Sequence, residues 1–254
     1  MRRLAAILIA CAMLIPVAAA ARSSNDSRTA VWRDDFSGTQ LDLTKWQPNW
    51  LGSSNSTITP PVNGAELSCY DPAQVSVAGG YLHLRAVARS CTDKNGRHYS
   101  YASGLVNSRQ HFTFTYGTLK ARIWLPGSGG VADDWPAVWA DGIGQWPTTG
   151  ENDVLEVLHG RNCYHFHSPA GGPGGCAQMP NPAGWHTVAA SWRANKINYW
   201  YDGNKVGTIT TGLTSAPMFV ILNMALSTSI SPPVKVPAEM LVDWVEVDKH
   251  VPTD

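Results

Sequence analysis

Charge is scarce in this chain and balanced in sign. Of 254 residues only 15% are charged, with 19 basic and 19 acidic side chains. No basic excess is present to hold nucleic acid, and no basic amphipathic helix suits a membrane surface. Helical periodicity is almost absent, as are internal repeats and any linker after residue 30. Cysteine is sparse, five in all, and never spaced Cys-x-x-Cys. Zinc is therefore a poor reading. His165 and His167 follow Cys163 closely, but alternate strand residues make an awkward tetrahedral ligand set. One long apolar run occurs. It covers residues 4–17, follows Arg2 and Arg3, and gives way to small residues through Ala21. Short for a membrane span, it reads as a secretory signal peptide over residues 1–21.

Export sets the next expectations. Without residues 1–21 a single domain remains over residues 22–254, roughly 233 residues with a net charge of about −2. Cys69, Cys91, Cys163 and Cys176 are left, and an even number in an exported chain implies two disulfides. Three connectivities are open. Proximity in sequence favours Cys69–Cys91 and Cys163–Cys176. A nearly neutral exported domain with 11 Trp suits a neutral polymer as partner, although each Trp competes with a reading as plain core.

What the chain does contain is many short alternating runs. Residues 74–77 and 81–85 flank Gly79-Gly80 as a hairpin. Residues 112–114, 117–124, 186–192, 196–201, 205–210, 218–226 and 240–248 read as further strands. Gly and Pro turns between them indicate an all-β sandwich of jelly-roll type. Residues 171–175 and 180–182 read as a surface loop stapled by Cys163 and Cys176.

The sharpest feature is Gly150-Glu151-Asn152-Asp153-Val154-Leu155-Glu156. Two of the five glutamates fall in it. A random Glu-x-Asp-x-x-Glu is expected in roughly 0.5% of chains of this composition, so the pattern carries meaning. On a strand Glu151 and Asp153 share a face, but Glu156, five residues on, points to the other. One extra residue at Val154-Leu155, a β-bulge, returns it to the first face. Crowded carboxylates repel, which keeps one of them protonated. A carboxylate beside a carboxylic acid suits glycoside cleavage, and a separation of roughly 5–5.5 Å gives retention of configuration. A solvated acidic edge or a Ca²⁺ site is the competing reading, disfavoured by the Val and Leu between the charges. Upstream, the indoles of Trp135, Trp139 and Trp146 suit the apolar faces of sugar rings. Downstream, His165 and His167 share a strand face that suits sugar hydroxyls or Glu156, with a satisfied structural role as the alternative for each.

Taken in order along nearly the whole mature chain, these residues resemble glycoside hydrolase family 16. The likeness is carried by Tyr116-Gly117 with Lys120-Ala121-Arg122, Trp135-Pro136-Ala137-x-Trp139 and Gly150-Glu151-x-Asp153-x-x-Glu156. Trp185-His186-Thr187, Asp202-Gly203, Asn223-Met224-Ala225 and Val242-Asp243-Trp244-Val245 continue it. The resemblance implies a β-jelly roll of two antiparallel sheets with a concave cleft. It implies endo-acting, retaining attack on a β-linked polysaccharide; with the signal peptide, a secreted monomer that needs no cofactor for catalysis is expected. By the same resemblance Glu151 is the nucleophile, Asp153 its helper and Glu156 the acid/base, and Asn223 joins Trp135, Trp139, Trp146, His165 and His167 as substrate contacts. β-1,3-Glucan is the first substrate expectation. A galactan of agarose type, or transglycosylation, is the alternative within the family. A non-catalytic carbohydrate-binding jelly roll is the alternative class. Some members hold a structural Ca²⁺ away from the cleft, where Asp243 and the backbone near Gly80 and Asp34 would match. Two departures stand out. Residues 160–167 are unlike the common form, and Asn152 replaces the family's usual aliphatic residue. Facing away from the cleft, its amide needs hydrogen-bond partners.

Overall fold

The strand Gly117–Leu125 illustrates how the sequence builds the molecule. Leu119, Ala121, Ile123 and Leu125 are fully buried, whereas Lys120, Arg122 and Trp124 between them are only partly so. A period of two puts one face into a core and the other toward water. In the computed structural model, which describes residues 30–249, ten strands form an outer sheet and six an inner one. The inner sheet runs Gly174–Cys176, Arg161–His167, Glu151–Leu158, Trp135–Gly142, Met218–Ala225 and Leu105–Asn107. In the outer sheet Gly117–Leu125 lies between Gly184–Arg193 and Ala238–Asp248. Leu119, Ile123, Val188 and Val245 of the outer sheet share one core with Val138, Leu155, Val157 and Leu222 of the inner sheet. This is the expected jelly-roll sandwich. Among the described residues the one helical turn is the short Pro72–Gln74.

Inner strands do not alternate cleanly. Met218–Ala225 is buried at every position. Its core face meets the outer sheet, and its other face carries a second apolar cluster of Tyr70, Leu105, Ala137, Trp139, Phe219 and Ile221. The same double cover hides the strand character of Trp135–Gly142, which the sequence showed only as an aromatic segment.

Two expectations need correction. Residues 112–114 form no strand. Phe114 makes a single bridge to Met218, and the rings stack instead, with Phe112 4.9 Å from Trp32 and 6.1 Å from Phe114. Residues 171–175 are not wholly loop, because Gly174–Cys176 pairs as the edge of the inner sheet with Cys176 opposite Cys163. The disulfides are Cys69–Cys91 and Cys163–Cys176. The signal-peptide expectation for residues 1–21 lies outside the described residues.

Candidate active site

Gly150 opens the carboxylate strand. Its φ is +84°, and a Cβ there would lie 2.3 Å from Thr214 Oγ1, so glycine is required. Glu151–Leu158 then runs between Trp135–Gly142 and Arg161–His167. Asp153 stands opposite Trp139 and His165, and Glu156 opposite Ala137 and Cys163. The register slips between these pairs on both sides, and Val154 faces a partner on neither. It is the extra residue of a bulge. As a result Glu151, Asp153, Glu156 and Leu158 line a cleft, while Asn152, Val154, Leu155 and Val157 are buried.

The cleft has a volume of about 630 Å³, and Trp50, Trp135, Trp139, Trp146, His165 and His167 line it with the carboxylates. Asn223 lines a smaller recess beside it, together with Glu66. Trp135 Nε1 donates to Glu156 Oε2 at 3.0 Å, and His165 Nδ1 lies 2.6 Å from Glu156 Oε1. Trp146 Nε1 donates to Glu151 Oε2. His167 Nε2 is 3.3 Å from Asp153 Oδ2, close but not aligned as a hydrogen bond. Asn223 accepts from Trp139 Nε1 at 2.8 Å and donates to Tyr70 Oη at 2.9 Å. Its amide thus holds the Trp139 indole in place.

Burial sets the protonation pattern. Asp153 is pushed well above the ordinary carboxyl range by desolvation, then by the charges of Glu151 and Glu156. Glu151 is also raised by burial, against the lowering effects of His167, the Trp146 N–H and a hydrogen bond with Asp153. Of the two, Asp153 is held protonated the more firmly and is the donor toward Glu151. Two further carboxyls reach the site. Burial, then the charge of Glu151, pushes Asp141 up to about 7. Burial pushes Glu66 up to about 7, and its Oε2 accepts from Tyr70 at 2.6 Å. Sequence reasoning singled out neither, nor Trp50 as a cleft residue. The available signals were the scarcity of glutamate for Glu66 and, for Asp141, the alternation Trp135, Ala137, Trp139, Asp141.

Glu151, Asp153 and His167, and likewise Asp153, Glu156 and His165, bring ligand atoms within 4.8 Å of one another. These are the cleft's own groups. At the expected calcium position, Asp243 Oδ2 accepts from Arg122 Nη1 at 2.8 Å. Asp34 accepts from Trp46 Nε1 at 2.8 Å and Phe36 N at 3.1 Å. Ca²⁺ asks for about six to eight oxygens with charge to spare. The Asp243 carboxylate is thus shared with Arg122, while the backbone oxygens near Gly80 and Asp34 are the further ligands that the resemblance implies.

The family described as Beta-glucan synthesis-associated protein SKN1/KRE6/Sbg1 matches residues 61–150. Glucan endo-1,3-beta-glucosidase A1 of Niallia circulans is 28% identical over 259 residues, which cover 87% of this chain and 38% of that protein. Endo-1,3-1,4-beta-glycanase EglC of Rhizobium meliloti is 29% identical over 245 residues, 86% of this chain and 51% of that one. The chain spans about half or less of the length of these curated relatives. Among solved structures, the catalytic domain of an endo-1,3-beta-glucanase (laminarinase) from Thermotoga petrophila is 25% identical with a TM-score of 0.73, covering 87% of this chain and 98% of that one. The endo-beta-1,3-glucanase from Pyrococcus furiosus shares the fold at 24% identity and a TM-score of 0.73, covering 86% and 93%. The chain is thus similar along most of its length to proteins named endo-1,3-β-glucanases and endo-1,3-1,4-β-glycanases, and it shares the two-sheet fold of the laminarinase structures.

Proposed function

We propose that the chain is a secreted, retaining, endo-acting glycosidase that cleaves β-1,3-glucan by double displacement. One observation carries the reading: the bulge at Val154 brings Glu151, Asp153 and Glu156 onto one face of a Trp-lined cleft. In the first step Glu151 attacks the anomeric carbon and Glu156 gives its proton to the departing glycosidic oxygen. Glu156, now a carboxylate, takes a proton from water. That water displaces Glu151 and restores both groups, so the reaction balances without a cofactor. Asp153, held neutral, donates to Glu151 and keeps its charge directed at the sugar. A single chain supplies the whole carboxylate set, so the reading needs no second subunit. The N-terminal apolar run and the two disulfides support export.

Relatives named as endo-1,3-β-glucanases support the substrate. The Rhizobium name supports mixed 1,3-1,4-β-glucan as the second reading. The test incubates the protein with laminarin, lichenan, agarose, xyloglucan and β-galactan. Laminarin is expected to fall fastest, into internal fragments whose first-formed ends are β-anomers by proton NMR. Glu156→Gln is expected to slow this by about 10²–10⁴-fold with folding intact. First-formed α-anomers, or wild-type rates in the variant, would sink the assignment.

A further inference from the structure

The bulge takes Val154 out of register with both neighbouring strands. A buried backbone group out of register needs another partner. It finds one across the core, on the outer-sheet strand Lys196–Tyr201. The Tyr201 hydroxyl lies 2.9 Å from Val154 O and 2.8 Å from Cys163 O. Val154 is the extra residue, and Cys163 stands opposite Glu156. Sharing its one proton between the two carbonyls, this hydroxyl ties the bulge to the rung that carries the acid/base. Two residues earlier on the same face, Tyr199 donates to Asn152 Oδ1 at 2.8 Å. Its ring stacks at 4.4 Å on Tyr164, whose neighbours Cys163 and His165 pair with Glu156 and Asp153. Tyr164 thus lies between the two rungs that flank the slip in register. Two hydroxyls from one outer strand grip the carboxylate strand at residues 152 and 154.

From this geometry we infer that Tyr201 is a positioning residue, whose hydroxyl holds the Val154 bulge in shape and thereby keeps Glu156 aimed into the cleft. Phenylalanine would fill the same space. It would leave Val154 O without this donor, and a buried orphan acceptor favours rearrangement of the strand around it. Burial pushes the Tyr199 and Tyr201 hydroxyls well above the usual phenol range, so both stay protonated donors throughout the working pH. The departure at residue 152 belongs to the same arrangement. Its Oδ1 is met by Tyr199, while among the described residues its Nδ2 has no partner.

The inference rests on Glu156 being the acid, and its test separates the two ideas. Tyr201→Phe is compared with wild type on laminarin and on 2,4-dinitrophenyl β-laminaribioside, whose leaving phenolate needs little protonation. Rates are normalised to folded protein by near-ultraviolet circular dichroism. On laminarin kcat/KM is expected to fall about tenfold, through kcat with KM within about twofold. On the aryl glycoside kcat/KM is expected to stay within about twofold. Equal losses on both substrates, or no loss on either, would overturn the positioning role. A wild type inert on both overturns the function and this inference with it. If the single variant is too unstable it is assayed at lowered temperature, where the same ratio between the two substrates decides. Tyr199→Phe, which removes a donor from Asn152 Oδ1 and His165 O but leaves the Tyr201 bond in place, is expected to keep that ratio within about twofold of wild type.

Discussion

Trp146 is the most exposed large apolar side chain among the described residues, at 56%. Its Nε1 nevertheless donates to Glu151, and its ring lies 6.4 Å from His167. An indole that water reaches adds little to the core, so its contribution belongs to the ligand. Trp146→Ala is expected to shift stability by no more than about 0.5 kcal/mol in thermal melts. It is expected to lower kcat/KM on laminarin about tenfold or more, from a lost stacking face and a lost bond to a charged carboxylate. Trp139 is the opposite case. It is 6% exposed, stacked on Trp50 at 5.7 Å and bonded to Asn223, so Trp139→Ala is expected to cost about 3–5 kcal/mol. In sequence the two tryptophans read alike, because exposure is set by distant residues. The carboxylates were legible because their spacing conflicts with strand alternation, a contradiction that sequence alone exposes.

On the scale of elements, the bulge makes a direct claim about Val154. Deleting it would restore a regular strand and turn Glu156 toward the core. Activity is expected to fall by about 10²–10⁴-fold, and stability by several kcal/mol as a carboxyl is buried without partners. A variant of near-native activity and melting temperature would show that the extra residue is dispensable. The neighbouring edge strand Gly174–Cys176 was illegible for a physical reason. Two of its three residues are glycine, which gives no alternation to read. Its pairing is secured by Cys163–Cys176, which closes a short loop with a sequence separation of 13. Removing that disulfide as the double serine variant is expected to cost about 3 kcal/mol of stability in denaturant melts. Residues 112–114 misled in the other direction, since alternating aromatics served ring stacking rather than pairing.

At the scale of the whole molecule, a chain poor in charge has concentrated carboxyls at one buried cleft, and stability should register it. Glu66, Asp141 and Asp153 all hold their protons more tightly folded than unfolded, and Asp134, raised to about 6 by burial, adds to them outside the cleft. The folded state therefore binds more protons than the unfolded chain once pH passes the ordinary carboxyl range. Stability present below that range is lost as pH rises toward the raised values. Asp42 and Asp93 act in the opposite sense, because both are lowered, and their window lies at more acid pH. The melting temperature is thus expected to be highest near mildly acid pH and to decline toward pH 7 and beyond. Glu66 supplies a separable share. Raised from an ordinary 4.5 to about 7, it accounts for on the order of 3 kcal/mol between those limits. Glu66→Gln keeps the shape and an acceptor for Tyr70 while removing the charge. Melting curves of both proteins from pH 4 to 8 decide the matter. The variant is expected to match wild type at the acid end and to exceed it increasingly toward pH 8. Parallel curves would mean that Glu66 ionises in the folded protein as it does in the unfolded chain, and that its buried place beside the cleft is reached by water.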